Sequence, residues 1–269
     1  MAELLATSDD GRAVTALDAG SGPNLLVVHP GGGDATAWDG VTRHLTDDFR
    51  VVRIRRRIYV PGADIALPHS MAVEAADIVA VAELLEPPVL LVGHSSGAVA
   101  ALEAALLDPS AFAGLFLYEP PMPTKELIAG AAGAHARAAL DGGSPVEAMR
   151  IHVRDVVRMP AALVDAMFAD PRTRAVLSAY AAAQIADDEA IDALGVGVDR
   201  FATLHTPTTL VEGELSPSHL RARLADLAAA LPNARIVTLA GQGHVAHLTA
   251  PDTLADAVRD MAGQVTGGP

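Results

Sequence analysis

The stretch Val89-Leu90-Leu91-Val92-Gly93-His94-Ser95-Ser96-Gly97-Ala98 is an apolar run that passes through Gly-x-Ser-x-Gly into small residues suited to a helix. A serine on a strand-to-helix turn of this kind takes a strained backbone conformation, and the glycines two before and two after it let strand and helix pack closely. Ser95 is therefore a candidate nucleophile at a helix N-terminus, where the N–H of Ser96 can face a developing oxyanion.

Outward from this turn, short apolar runs bounded by Gly and Pro alternate with longer segments of helical periodicity. Strands are expected at Asn24 to His29, Arg50 to Ile54, Val89 to Gly93, Gly114 to Glu119, Thr208 to Gly213 and Arg235 to Leu239. Two more, around Glu3 to Thr7 and Arg12 to Asp18, flank the hairpin dipeptide Asp10-Gly11, so the sheet is expected to start antiparallel. Helices are expected at Ala35 to Leu45, Ala72 to Leu85, Ser96 to Leu107, Ser218 to Leu231 and Pro251 to Met261. This alternation is the pattern of an α/β fold, a mostly parallel sheet with helices on both faces. Residues 122–204 break it, reading as consecutive helices interrupted at Gly142-Gly143, Pro160 and Pro171. The expected organisation is a core of residues 1–121 and 205–265, an inserted helical cap of 122–204, and a disordered tail of 266–269.

The chain has 269 residues with 33 acidic and 19 basic side chains, a net charge of −14, which argues against binding through phosphate contacts. Hydrophobic residues make up 51% of it, yet no uninterrupted apolar run reaches the ~18 to 20 residues of a membrane span. The opening Met1-Ala2-Glu3-Leu4-Leu5 lacks a signal-type pattern and there is no cysteine, so the cytoplasm is the expected compartment.

Two further segments carry chemistry. His29-Pro30-Gly31-Gly32-Gly33-Asp34 follows a strand, and its glycines let the main chain approach a substrate; Gly31, with Gly32 as the alternative, is the expected second oxyanion donor. Ala240-Gly241-Gln242-Gly243-His244 follows the last strand, and of the ten histidines His244 has the best claim to be the base. His94, beside Ser95, either supports the turn or reaches substrate, and His247 is a core or rim residue. A metal site on His244 and His247 is disfavoured, because the chain has neither His-Glu-x-x-His nor cysteine. No cofactor is expected.

The order of Gly-rich loop, Gly-His-Ser-Ser-Gly and late Gly-x-Gly-His resembles the α/β-hydrolase fold family over nearly the whole chain. The resemblance implies an eight-stranded sheet, a Ser-His-acid triad and a pocket between sheet and cap. One departure matters. Where most members carry an Asp after the strand that follows the cap, this chain reads Gly213-Glu214-Leu215-Ser216-Pro217, with Ser216 at the acid position. Either Glu214 substitutes, or the acid is Glu119 in Leu117-Tyr118-Glu119-Pro120-Pro121, which ends the strand after the elbow helix. Placing the acid there, as the zearalenone-lactonase-like hydrolases and some haloalkane dehalogenases do, makes Glu119 the favoured acid and gives a local resemblance to the lactonase branch.

The run Arg53-Ile54-Arg55-Arg56-Arg57 reads as a solvated basic loop, or as a rim that attracts anionic substrates. Trp38, Met122, Met149, Met159, Met167 and Phe168 are candidates to line an apolar pocket, against the plain alternative of helix packing. The expected activity is a serine hydrolase of esters or lactones acting through an acyl-enzyme on Ser95. The alternatives are a non-catalytic binder of a small hydrophobic ligand, suggested by Ser216, and a perhydrolase or C–C hydrolase using the same triad. The expected partners are a small-molecule ester or lactone and, at most, a second copy of the chain.

Overall fold

In the computed structural model, which describes residues 2–62 and 69–266, eight strands form one sheet in the order β1-β2-β4-β3-β5-β6-β7-β8. They are β1 (Ala2–Thr7), β2 (Ala13–Gly20), β3 (Asn24–Val28), β4 (Arg50–Ile54), β5 (Val89–His94), β6 (Gly114–Tyr118), β7 (Thr208–Gly213) and β8 (Ala234–Leu239). The pairs β1/β2 and β2/β4 are antiparallel and the rest parallel. Strands β3, β5, β6 and β7 are buried at every residue, which is why they read as continuous apolar runs rather than alternating ones.

The period-two geometry of these strands splits their side chains between two cores. Leu26, Val28, Val52, Leu91 and Leu117 pack on one face beneath α2 (Met71–Ala82), α3 (Ser96–Leu107) and α9 (Ser218–Ala230). Leu25, Val27, Val51, Leu90 and Phe116 pack on the other beneath α1 (Asp39–Leu45) and α11 (Pro251–Thr266). Between β6 and β7 the chain carries α4 (Gly130–Asp141), α5 (Pro145–Ile151), α6 (Ala161–Ala169), α7 (Pro171–Ala179) and α8 (Ala181–Asp192), with breaks at the Gly142-Gly143 pair and before Pro160 and Pro171. A short α10 (Ala246–Thr249) precedes α11.

Element ends shift from expectation for local reasons. The Asp34 side chain accepts from the Thr36 N–H at 2.9 Å and caps a 3-10 turn over Ala35–Trp38, so α1 starts only at Asp39. Ser70 caps α2 at Met71, one residue early, through its hydroxyl at 3.3 Å from the Val73 N–H. The last helix continues to Thr266, the first residue of the expected tail, and 267–269 lie outside the described residues. Among the described residues no helix is long and apolar enough to cross a membrane.

The parallel register brings several strand ends to one edge. Val28 pairs with Gly93 and His94 with Tyr118, while the Ser95 N–H donates to the Tyr118 carbonyl at 2.8 Å and the Glu119 N–H to that of Val211 at 3.0 Å. The loops that follow β3, β5, β6 and β8 therefore open at the carboxyl edge of the sheet, where α/β folds bind ligands.

Candidate active site

Ser95 lies between β5 and α3 with φ 53° and ψ −126°, a conformation an L-residue holds only when its surroundings impose it. Gly93 and Gly97 impose it. A Cβ on Gly93 would sit 2.5 Å from the Ala98 Cα, and one on Gly97 would collide with the carbonyls of Val28 and His29. Without side chains there, α3 packs directly onto the ends of β3 and β5. Ser96, the first residue of α3, has by position no intrahelical partner for its N–H. Ser96, Gly31 and Gly32 all border the same cavity.

Glu119 also holds a positive φ, 46°, and its side chain is fully buried. One carboxylate oxygen accepts the Gly213 N–H at 2.7 Å, and the other accepts from His244 Nδ1 at 2.5 Å. His244 Nε2 lies 3.1 Å from Ser95 Oγ. With both carboxylate oxygens acting as acceptors, the network assigns the imidazole proton to Nδ1 and leaves Nε2 to accept from the serine hydroxyl. The structure thus brings Ser95, His244 and Glu119 into one hydrogen-bonded line.

Glu214 does not join that line. It is exposed, and its carboxylate accepts the Gly241 N–H at 2.8 Å, tethering the loop that leads to His244. Ser216 is buried beside Gly213. His94 is buried under the same loop: Nε2 donates to the His244 carbonyl at 3.0 Å and the ring stacks on Tyr118 at 4.5 Å, while the Tyr118 hydroxyl donates to the Gly243 carbonyl. Loop support is the main work of His94, although an edge of it reaches the cavity. His247 packs edge-on against His94 at 4.6 Å.

Burial keeps these flanking imidazoles neutral. His247 is lowered to about 4 by desolvation and then by the His244 charge, His29 to about 4 by desolvation and then by the Arg56 charge, and His94 well below its ordinary range by desolvation and then by His247. Between the ordinary value of 6.5 and about 4 the unfolded chain binds protons that the folded chain refuses, so stability falls as pH drops through that window. Each such histidine removes about 1.4 kcal/mol per pH unit. The melting temperature is expected to decline steeply from pH 7 towards 4, as followed by circular dichroism, and a flat profile would contradict the buried neutral imidazoles.

The cavity above the line has a volume of about 860 Å³. Met149, Met159 and Met167 from the insertion line it, together with Val153 and Val156. Three pocket candidates lie elsewhere. Trp38 is fully buried in the core beneath α1, packed with Leu25 and Val41, because the 3-10 turn directs it inward. Met122 is fully buried against the other core, and Phe168 packs inside the insertion on Met149 and Val164, with the Arg150 guanidinium 4.7 Å from its ring. The polar lining missed by sequence reading includes His152, Gln184, Asp188, Tyr180, His219 and Arg223, on the insertion and α9.

The arginine run is mostly buried and paired rather than a solvated loop or an anion-attracting rim, with Arg55 its most exposed arginine. Arg53 is buried and bonded to the Ala35 carbonyl and Asp39, Arg55 pairs with Glu3, and Arg57 pairs with Asp77 and Asp10. Arg56 is fully buried, 2.9 Å from Glu74, 2.7 Å from Asp187 on α8 and 2.9 Å from the Ser96 hydroxyl. The charges are spent on carboxylates of this chain, so a preference for anionic substrates has no source in them. Arg56→Met would strand two buried carboxylates and is expected to cost about 3–5 kcal/mol in a urea titration; an unchanged midpoint would contradict the network.

Residues 25–257 match the model of the alpha/beta hydrolase family, and the chain belongs to that family. It is 35% identical over 121 residues to the pimeloyl-[acyl-carrier protein] methyl ester esterase of Methylococcus capsulatus, an alignment covering 41% of this chain and 45% of that protein. The chain spans less than half the length of the curated relatives it matches. An alpha/beta hydrolase of Sphaerobacter thermophilus superposes with a TM-score of 0.84 at 26% identity, covering 96% of this chain and all of that one (100%). A thermophilic esterase of Thermogutta terrifontis shares the fold, with a TM-score of 0.73 at 21% identity over 98% of this chain and 99% of that one.

Proposed function

We propose that the protein hydrolyses carboxylic esters or lactones through an acyl-enzyme on Ser95. The observation that carries this reading is the continuous line from Ser95 Oγ through His244 to the buried Glu119, opening into the cavity. Ser95 attacks the carbonyl as His244 Nε2 takes its proton, and the N–H groups of Ser96 and Gly31 receive the oxyanion. Collapse expels the alcohol, which takes the proton from His244; in a lactone it stays tethered to the acyl chain. Water, deprotonated by His244, then attacks the acyl-enzyme and releases the acid. Glu119 holds the imidazole in the right tautomer and balances the imidazolium.

The insertion of 122–204 acts as a cap, closing a mainly apolar space suited to a medium-sized acyl chain or a macrocycle. The similarity to a methyl ester esterase supports ester chemistry, and an acid after β6, as in the lactonase-like branch, keeps lactones within the proposal. The hydrogen bond between Glu119 and His244 supports a hydrolase over the binder that Ser216 suggested. A screen of short esters, aromatic esters and macrocyclic lactones with purified protein is expected to find turnover in at least one class, and inertness to all three would overturn the proposal.

A further inference from the structure

Among the described residues, most buried carboxylates have an arginine partner: Glu74 and Asp187 meet Arg56, Asp77 meets Arg57 and Glu212 meets Arg221, with His69 also 3.1 Å from Glu74. Glu119 and Asp188 meet an imidazole instead, His244 and His152, and both of those histidines line the same cavity. Asp188, on α8, is 3% exposed, with one oxygen 2.6 Å from His152 Nδ1 and the other accepting the Gln184 Nε2–H at 3.0 Å. Burying a carboxylate is costly, and the inside of a helical insertion could be filled by apolar side chains at no such cost. The arrangement is also held firmly. A carboxylate oxygen can only accept, which assigns the Gln184 amide nitrogen to Asp188, and the Tyr59 hydroxyl donates its one proton to the neighbouring Asp187 at 2.8 Å. His152 itself opens a π-helical turn, His152–Val156, a local irregularity often found where a helix serves a site.

We infer that His152, fixed by Asp188, is a second anchor in the cavity that accepts a hydrogen bond from a hydroxyl group of the substrate remote from the scissile carbonyl. Both Asp188 oxygens act as acceptors, so Nδ1 of His152 carries a proton, and in the neutral imidazole Nε2 presents a lone pair. The natural match is a neutral donor, an alcohol or phenol, because the Asp188 charge behind the ring opposes an anion. Burial raises the Asp188 carboxyl above its ordinary value and the His152 ring pulls it back. The substrate class becomes a hydroxylated ester or hydroxylated lactone. His152 binds this group and takes no part in the bond-breaking steps.

The inference rests on the hydrolase reading, and its test separates the two. Two ester series of graded chain length are assayed, p-nitrophenyl ω-hydroxyalkanoates and ω-hydroxyalkyl butyrates, each beside its methyl-terminated mate. At one chain length in one series, kcat/KM for the hydroxylated ester should exceed that of its mate roughly threefold to tenfold, the worth of one buried hydrogen bond. His152→Leu should erase that ratio and Asp188→Asn should reduce it. Because every comparison is a ratio within one variant, a general loss of activity or folded protein cancels. Turnover with no hydroxyl preference at any length, or a preference that survives in His152→Leu, would overturn the anchor alone. No turnover of any ester in either series would overturn the anchor, and inertness to aromatic esters and macrocyclic lactones as well would overturn the hydrolase reading with it.

Discussion

Ser95→Ala is expected to lower kcat roughly 10⁴-fold or more on any substrate the wild type turns over. The hydroxyl is the atom that forms the ester to the acyl group, and nothing beside it can take over: Ser96 is buried with its hydroxyl 2.9 Å from the Arg56 guanidinium. The fold should be untouched, because the half-buried Ser95 side chain contributes little to the core and the positive φ is imposed by the packing of α3, not by the hydroxyl. Wild-type rates in Ser95→Ala, measured on protein with an unchanged melting curve, would remove Ser95 from the mechanism. His244→Ala should be about as damaging, since members of such a unit do not contribute additively.

The second large effect concerns the acid. Glu119→Gln keeps the size of the side chain but replaces the acceptor next to His244 Nδ1, so the imidazole loses both its tautomer control and its counter-charge. A fall in kcat of roughly a hundredfold or more is expected, up to the 10⁴ seen when a triad acid is neutralised. Glu214→Gln should have a much smaller effect, because Glu214 only tethers Gly241 at the surface. The reverse ranking, in kcat measured on one substrate with both variants, would move the acid to Glu214.

Much of this site could be read before any coordinates, and the reasons are physical. A strand, a sharp Gly-flanked turn and a helix are all local features, so Val89 to Ala98 carries its own geometry. Glu119 could be reached because an expected carboxylate was missing at Ser216 and one stood at the end of a neighbouring strand. The arginine run was misread for the opposite reason. Its partners, Glu3, Asp10, Asp39, Glu74, Asp77 and Asp187, are scattered along the chain, and only tertiary folding gathers them around consecutive arginines. The same holds for His152 and Asp188, which sit on separate helices of the insertion. Among the apolar candidates, helical spacing could not tell a residue facing the cavity from one facing another helix: Met149 and Met167 reach the cavity, whereas Trp38, Met122 and Phe168 fill cores.

The central claim, a serine nucleophile activated by His244 and Glu119, is tested most directly by covalent labelling. Purified protein is treated with a fluorophosphonate probe, and the adduct is located by intact-mass and peptide mass spectrometry. The account predicts one adduct per chain, on the peptide containing Ser95, absent from Ser95→Ala and formed much more slowly in His244→Ala. No adduct on the folded wild-type protein, or an adduct on a residue other than Ser95, would contradict it.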